Sequence, residues 1–153
     1  ETIKHWPKEK FEDLKRFSLE ENDIVLAMDR PWVKSGLKIA KITQNELPSL
    51  LIQRTACIRA SKNISSDFIF YTLQTDNYIN HLVSQQTGVG VPHISGKQIL
   101  GYTISIPNYI EQQRIVSRLD SLSENIRKYE EIQRKIVSEC DALKQALLRK
   151  VFE

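Results

Sequence analysis

The last third of the chain carries a heptad repeat, and this repeat most restricts how the chain can fold. From Ile115 onward, seam residues follow one another at alternating intervals of four and three, the spacing of a coiled coil. Residues 111–153 contain neither Gly nor Pro, which predicts one helix of about 60 Å at 1.5 Å per residue. Such a helix cannot bury its stripe alone, so we expect a partner helix. The predicted coiled-coil interface comprises Ile115, Leu119, Leu122, Ile126, Tyr129, Ile136, Cys140, Leu143 and Leu147.

One polar residue interrupts this seam. Gln133 occupies a position where an apolar side chain would pack better. In coiled coils such a residue can fix the register or the choice of partner, at some cost in stability. The helix is therefore expected to pair with a specific partner.

The first part of the chain begins with helix and strand patterns. Phe11, Leu14 and Phe17 recur every three residues and predict a short helix with one apolar edge. Three apolar or alternating runs predict strands, of which the first is buried and is stopped by Pro31. These strands are predicted at residues 23–28, 37–42 and 50–58.

Helical periodicity appears next, followed by a loop rich in glycine. Ser65, Ser66 and Asp67 offer N-cap oxygens to a helix predicted over residues 67–85. Gly88, Gly90 and Pro92 keep residues 87–94 from forming regular structure. Two short elements follow: a helical turn capped by Ser95 that runs to Ile99, and a strand at residues 102–106 stopped by Pro107.

Together these patterns predict an α+β fold. A small mixed α/β domain occupies residues 1–107, and one long coiled-coil-forming helix occupies residues 108–153. The chain starts with Glu1 rather than Met, so we expect the domain to be incomplete at its N-terminus.

Positive charge is concentrated in one stretch of the chain. The net charge is only +3, which alone does not indicate a polyanionic partner. However, residues 30–62 contain seven Lys or Arg residues and a single acid, Glu46, whereas residues 1–29 contain more acids than bases. This stretch is either a solvated outer face or a phosphate-binding surface.

Cysteine content and hydropathy indicate a cytoplasmic protein. Cys57 and Cys140 lie far apart, with no spacing typical of a disulfide scaffold or a zinc site. No apolar run approaches the roughly 18 residues of a membrane span, and the first ten residues do not resemble a signal peptide.

Two short segments carry side chains suited to DNA. Arg30 and Lys34 flank Trp32 in a loop after the first strand, combining cations with an aromatic ring, although Trp32 could instead fill the core. Gln86 and Thr87 follow the predicted helix, where an amide side chain can pair with adenine.

No catalytic or metal-binding arrangement is found. His5, His81 and His93 are widely separated, without acids or cysteines at ligand spacing, and only His93, in a loop, is kept as a candidate binding residue. Gly88 and Gly90 do not form a phosphate loop, because no Lys-Ser/Thr pair follows them.

Several segments resemble a known family. The sequence TGVGVPHIS at residues 87–95, YTISIP at 102–107 and EQQRIV at 111–116, followed by the heptad helix, resemble the end of a target recognition domain in the specificity subunit of Type I restriction-modification systems. DIVL at residues 23–26 and DFIFY at 67–71 resemble two internal elements of that domain. Asn22 and Asn108 stand where the family often has Gly and Pro.

The resemblance implies a non-catalytic subunit that reads one half of a split DNA target. The long helix would pair antiparallel with a counterpart from a second recognition half or a second copy, and would dock the modification and restriction subunits. S-adenosylmethionine, ATP and Mg²⁺ would bind those partner subunits, with no cofactor in this chain. The heptad count would then set the distance between half-sites.

On this basis the DNA-binding surface is predicted from nine residues, and two other functions stay open. The first alternative is the recognition domain of a fused restriction-and-modification enzyme, and the second is a coiled-coil adaptor that binds protein only. The predicted DNA-binding residues are Arg30, Trp32, Lys34, Lys38, Lys62, Gln86, Thr87, Gly88 and His93.

Overall fold

A computed structural model describes residues 5–34, 36–85 and 92–152. The chain divides into two compact units, Glu1–Gln113 and Arg114–Glu153. The α+β fold class is confirmed, with small antiparallel sheets and a long C-terminal helix. The strands are β1 (Ile24–Ala27), β2 (Trp32–Val33), β3 (Gly36–Leu37), β4 (Ile39–Lys41) and β5 (Thr55–Ile58). The helices are α1 (Phe11–Leu14), α2 (Ser66–Thr72), α3 (Asp76–Gln85), α4 (Gly96–Leu100) and α5 (Tyr109–Phe152).

The central sheet has three antiparallel strands in the order β4-β1-β5. In register, Leu26 of β1 lies opposite Ile39 of β4 and Ala56 of β5. Ile24 and Leu26 are fully buried and point to the same side, because side chains alternate along a strand. The predicted buried strand is therefore confirmed as the centre of the sheet.

The strand predicted at residues 37–42 is divided between two sheets. β3 pairs with β2 in a hairpin, whereas β4 pairs with β1. The change of partner occurs at Lys38, whose N–H donates to the Pro31 carbonyl (2.6 Å) while its own carbonyl accepts from the Ala27 N–H (3.0 Å). Gly36, with φ of 121°, supplies a conformation in the hairpin that other residues rarely adopt.

The strand predicted at residues 50–58 is too long. Only Thr55–Ile58 forms a strand, and Leu50 makes an isolated bridge to Ser18. Arg54, just before the strand, has φ of 61°, a left-handed conformation that an extended strand cannot include.

The single helix predicted over residues 67–85 is wrong in its continuity, since α2 and α3 are separate. Thr75 explains the break: its hydroxyl donates to the Thr72 carbonyl (2.8 Å), and the same oxygen accepts from the Tyr78 N–H (3.4 Å). Threonine side chains commonly replace backbone bonds in this way at helix ends. The predicted helical start is confirmed, because the Ser65 hydroxyl caps α2.

Two elements were predicted between α3 and α5, a helical turn capped by Ser95 and a strand at residues 102–106. The first prediction is confirmed and the second is wrong. As predicted, Ser95 caps a helical turn, α4, and the structure adds that Gln98 completes a capping box with it. Residues 102–106 form no strand. Tyr102 instead packs edge to face on Tyr78, with ring centroids 5.2 Å apart, so the alternation marks packing on the core without sheet pairing.

The core of the globular unit joins the central strand to the helices. Tyr78, Leu82 and Ile94 are at most 1% exposed and connect α3 and the chain before α4 to β1. The full buried cluster is Ile24, Leu26, Leu37, Leu73, Tyr78, Leu82, Ile94 and Ile99.

The long helix is confirmed as one uninterrupted element of 44 residues. At 1.5 Å per residue its length is about 66 Å. Its first turn belongs to the globular unit, where the Gln112 side chain is 1% exposed. The Gln112 amide accepts from the Ser65 N–H (2.8 Å) and donates to the carbonyls of Pro107 (2.9 Å) and Asn63 (3.3 Å). Among the described residues, no helix has both the length and the apolar character to span a bilayer.

Candidate nucleic-acid interface

Basic residues gather at one end of the central sheet, which we call the cationic end. It comprises Arg30, Lys38, Arg54 and His93 beside Asp29, together with Lys34 in the turn of the adjoining hairpin. Lys38 immediately precedes β4, and Arg54 immediately precedes β5. Both lie beside the end of β1, because the Lys38 carbonyl accepts from the Ala27 N–H and the Arg54 carbonyl accepts from the Met28 N–H (2.8 Å). Three neighbouring strands therefore bring cations to the same end of the sheet.

The segment before α4 joins this edge. Asp29 and His93 form an isolated antiparallel bridge. The Arg30 N–H donates to the Pro92 carbonyl and the Ile94 N–H donates to the Met28 carbonyl, each at 2.9 Å. His93 is thus held by backbone bonds on both sides, next to Arg30.

Asp29 is the acceptor at the centre of the cationic end. One carboxylate oxygen accepts from His93 Nδ1 (2.6 Å), and the other accepts from the Arg54 guanidinium. These two partners, with the His93 hydrogen bond the larger influence, hold the pKa of Asp29 below its usual value, since both stabilise the ionised carboxylate.

The hairpin β2–β3 carries Trp32 and Lys34. Lys34 is exposed in the turn that follows β2. Trp32 is half-buried and packs against the core cluster, which supports the alternative that it fills the core. Contact between Trp32 and a base stays a prediction.

The seven Lys and Arg residues of residues 30–62 fall into two groups, those that form ion pairs and those that do not. Lys41 pairs with Asp67, Arg54 with Asp29, and Arg59 with Asp23 and Glu20. In the described part of the chain, Arg30, Lys34, Lys38 and Lys62 have no ion pair. The unpaired cations are the ones whose charge is available to a polyanion.

Lys62 is not brought together with the other predicted residues. It follows the end of β5 at Ile58, which lies opposite Ile24 at the start of β1. The cationic end is formed by the other end of the same strands, beside Ala27 and Thr55. A DNA contact by Lys62 stays a prediction, but it would come from a separate part of the surface.

The end of the sheet near Lys62 is held by a carboxylate cluster. Arg59 donates to both oxygens of Asp23 (2.7 Å each) and to Glu20 (2.7 Å). Asp23 is 1% exposed, and its pKa is lowered mainly by the hydrogen bonds from Arg59. Burial raises the pKa of the nearby Cys57 thiol to about 11, which leaves it a poor nucleophile.

Three predicted residues, Gln86, Thr87 and Gly88, lie outside the described residues. Conversely, sequence reasoning missed Asp29 and Arg54 as members of the site. Arg54 was counted among the bases, but its partner Asp29 lies 25 positions away, and no local pattern connects the two. Within the described ranges, no group of three or more His, Cys, Asp or Glu residues could hold a metal ion.

The predicted seam of α5 is exposed over most of its length. From Leu122 to Leu147, its large apolar residues are between 50% exposed, at Ile126, and 70% exposed, at Tyr129. Cys140 is also exposed, whereas Ile115 and Leu119 are half-buried. Exposed residues that the heptad pattern did not single out are Ile132, Val137, Leu148, Val151 and Phe152.

Comparisons with known proteins give a consistent result. Residues 4–137 match the sequence model of the Type I restriction modification DNA specificity domain. The chain is 37% identical over 127 residues to the Type I restriction enzyme EcoAI specificity subunit from Escherichia coli, a match that covers 82% of this chain and 21% of that protein. It is 28% identical over 149 residues to the Type I restriction enzyme MjaVIII specificity subunit from Methanocaldococcus jannaschii, covering 97% of this chain and 34% of that protein. The chain thus spans between a fifth and about a third of these relatives.

Proposed function

Because the chain belongs to the family of Type I restriction modification DNA specificity domains, we propose that it reads DNA sequence for a Type I restriction-modification enzyme. In this role the chain carries out no chemistry. It directs the methyltransferase and endonuclease activities of partner subunits to a chosen site. S-adenosylmethionine, ATP and Mg²⁺ bind to those partners.

The observation that carries this proposal is the cationic end of the sheet. The cationic end has four Lys or Arg residues and one carboxylate, that of Asp29, which gives it a net charge of +3 with His93 counted as neutral. The four cations are Arg30, Lys34, Lys38 and Arg54. Phosphate contacts by Lys and Arg supply most of the sequence-independent affinity for DNA. Such contacts also fix the register from which other side chains reach the bases.

We propose that this chain reads one half of a bipartite target and that α5 sets the distance to the other half. The exposed stripe from Leu122 to Leu147 supports pairing with the helix of a second recognition half or a second copy, since an apolar helix face of this length is stable only when covered. The same helix docks the modification and restriction subunits. Half-site spacing then follows from the length of the paired helices.

A methylation map of the source genome tests the function directly. Long-read sequencing is done with the complete gene that encodes this chain intact and then deleted. We expect one split adenine motif to lose its methyl groups after deletion, which also identifies the half-site. Persistence of every motif in cells that transcribe the gene would contradict the proposal.

Duplex binding by charge variants tests the surface. The Lys38→Ala variant should weaken cognate and unrelated duplexes alike and lower the slope of log K against log salt by about 0.9, the effect of one phosphate contact. Lys62→Ala tests the predicted contact of Lys62 separately, because this residue follows the strand at the other end of the sheet. A Gln86→Ala variant should instead relax sequence choice with little change in the salt slope. An unchanged salt slope for Lys38→Ala would remove that residue from the interface.

The exposed stripe also favours a second candidate function, a coiled-coil adaptor that binds protein only. Duplex binding distinguishes the two functions. An adaptor shows no salt-sensitive affinity for any duplex, whereas a specificity domain shows it for all duplexes and adds a preference for one. The recognition domain of a fused enzyme would behave like the specificity domain, and catalytic domains encoded upstream in the same reading frame would identify it.

A further inference from the structure

The strongest unassigned feature is the chain of contacts from Arg54 through Asp29 to His93. Asp29 lies between two chain segments, with the Arg54 backbone bonded to Met28 on one side and His93 bridged to Asp29 on the other. Its two carboxylate oxygens are divided between the two side chains. We propose that His93 reads a base of the DNA target and that Asp29 is the residue that positions it. This inference rests on the proposed function.

The chemistry of the carboxylate fixes the form of the imidazole. An ionised carboxylate only accepts hydrogen bonds, so the proton between the two groups belongs to His93 Nδ1. The depressed pKa of Asp29 keeps that carboxylate ionised at neutral pH. In the neutral ring the remaining nitrogen, Nε2, is therefore an acceptor.

Arg54 offsets the negative charge of the carboxylate that His93 contacts. Its guanidinium already pairs with Asp29, so the Arg54–Asp29 pair has no net charge and His93 adds none when neutral. The backbones of two further basic residues, Arg30 and Lys38, also lie at this end of the sheet.

An acceptor at Nε2 requires a hydrogen-bond donor on the DNA. In the neutral ring this nitrogen cannot bond to the DNA backbone, because phosphate oxygens carry no proton to donate. The amino groups of adenine N6 and cytosine N4 in the major groove are donors. His93 is 44% exposed while Asp29 is 20% exposed, and in the described part of the chain no hydrogen bond reaches Nε2. A half-buried carboxylate that orients a more exposed ring is the arrangement that a base-reading histidine requires.

A double-mutant cycle tests the assignment in the complete specificity subunit with its methyltransferase partners. The variants are Asp29→Asn, His93→Ala and the double substitution, and the measured quantity is the affinity for a duplex with the mapped motif relative to an unrelated duplex. Each single variant should lower this ratio about tenfold, the usual effect of one lost base contact. If Asp29 acts through His93, the double variant should lose no more than His93→Ala.

Asp67→Asn is the matched control. Asp67 also pairs with a cation, Lys41, but at the opposite end of the sheet and without a histidine. Asp67→Asn makes the same change in net charge as Asp29→Asn. Its ratio of affinities for the motif duplex and the unrelated duplex should stay within twofold of that of the unsubstituted protein. His93→Gln provides a second probe at an exposed position in case Asp29→Asn unfolds, which a thermal melt reports. It retains a side-chain acceptor, and it should keep more of the preference than His93→Ala.

Three results separate the possibilities. A double variant whose loss equals the product of the single losses overturns the positioning role of Asp29. An unchanged ratio for His93→Ala overturns the base contact itself. If the unsubstituted subunit binds no duplex in a salt-sensitive manner, the proposed function has failed, and this inference fails with it. In that last case the variants are not needed to decide.

Discussion

Replacement of Gln112 by Met is expected to destabilise the globular unit selectively. Gln112 is 1% exposed and its amide makes three hydrogen bonds across the start of α5. Methionine has a similar volume, so the packing is kept while all three bonds are lost. The Ser65 N–H loses its partner, at a cost of about 1–3 kcal/mol, and two carbonyls lose a donor at about 0.5–1 kcal/mol each.

The sum is a loss of about 3 kcal/mol in the free energy of unfolding. For a protein of this size that corresponds to a decrease in Tm of about 6–12 °C. Tryptophan fluorescence is the appropriate signal, because Trp6 and Trp32 are the two tryptophans of the chain and both lie in the globular unit. Urea titrations followed in this way should show a lower midpoint with an unchanged slope.

Gln113→Met is the matched control, since Gln113 is the neighbouring residue and is exposed. It should change the free energy of unfolding by less than about 0.5 kcal/mol. If Gln112→Met were as mild as Gln113→Met, the three hydrogen bonds would not hold the start of α5 to the globular unit, and the reasoning would be wrong.

Three further predictions follow from the same structure. Arg59 lowers the pKa of Asp23 in the folded state, so the contribution of Asp23 to stability is complete above the unfolded pKa near 3.9 and is lost as pH falls through the lower folded value. In the Asp23→Asn variant the urea midpoint should therefore depend less on pH in that acidic range. A variant whose pH profile equals that of the unsubstituted protein would refute this prediction. Ile126→Asp, at an exposed seam position, should abolish pairing of α5 while tryptophan fluorescence shows the globular unit folded, and an unchanged mass in light scattering would contradict the seam. Cys57, with its pKa near 11, should react at pH 8 far more slowly than the exposed Cys140, with about one thiolate in a thousand; equal rates in a thiol-reagent assay would show that Cys57 is not protected by burial.

Elements whose signal is local were predictable from the sequence. The heptad spacing predicts α5 because each seam residue relates to the next within one turn, and the absence of Gly and Pro keeps the helix whole. Ser95 as an N-cap residue identifies α4 in the same way. The buried strand β1 follows from a compact apolar run.

Elements that depend on distant partners were not predictable. Residues 102–106 alternate like a strand, but they pair with none of the strands in the described residues, and Tyr102 packs on Tyr78 instead. The break between α2 and α3 depends on two bonds of one threonine hydroxyl. In the candidate site, Asp29 binds residues 25 and 64 positions away, so its role emerges only when β1, β5 and the segment before α4 come together.

The hydrogen bond that closes the base of the β2–β3 hairpin has a consequence for how the length of this hairpin can vary. The Lys38 N–H bonds to the Pro31 carbonyl just outside the two strands, and the chain then enters β4 in register with β1. A longer hairpin would leave that register unchanged, and doubling a flexible loop costs only about 0.6 kcal/mol in closure entropy. Residues inserted beside Lys34 would therefore lengthen the hairpin while the pairing of β4 with β1 stays the same.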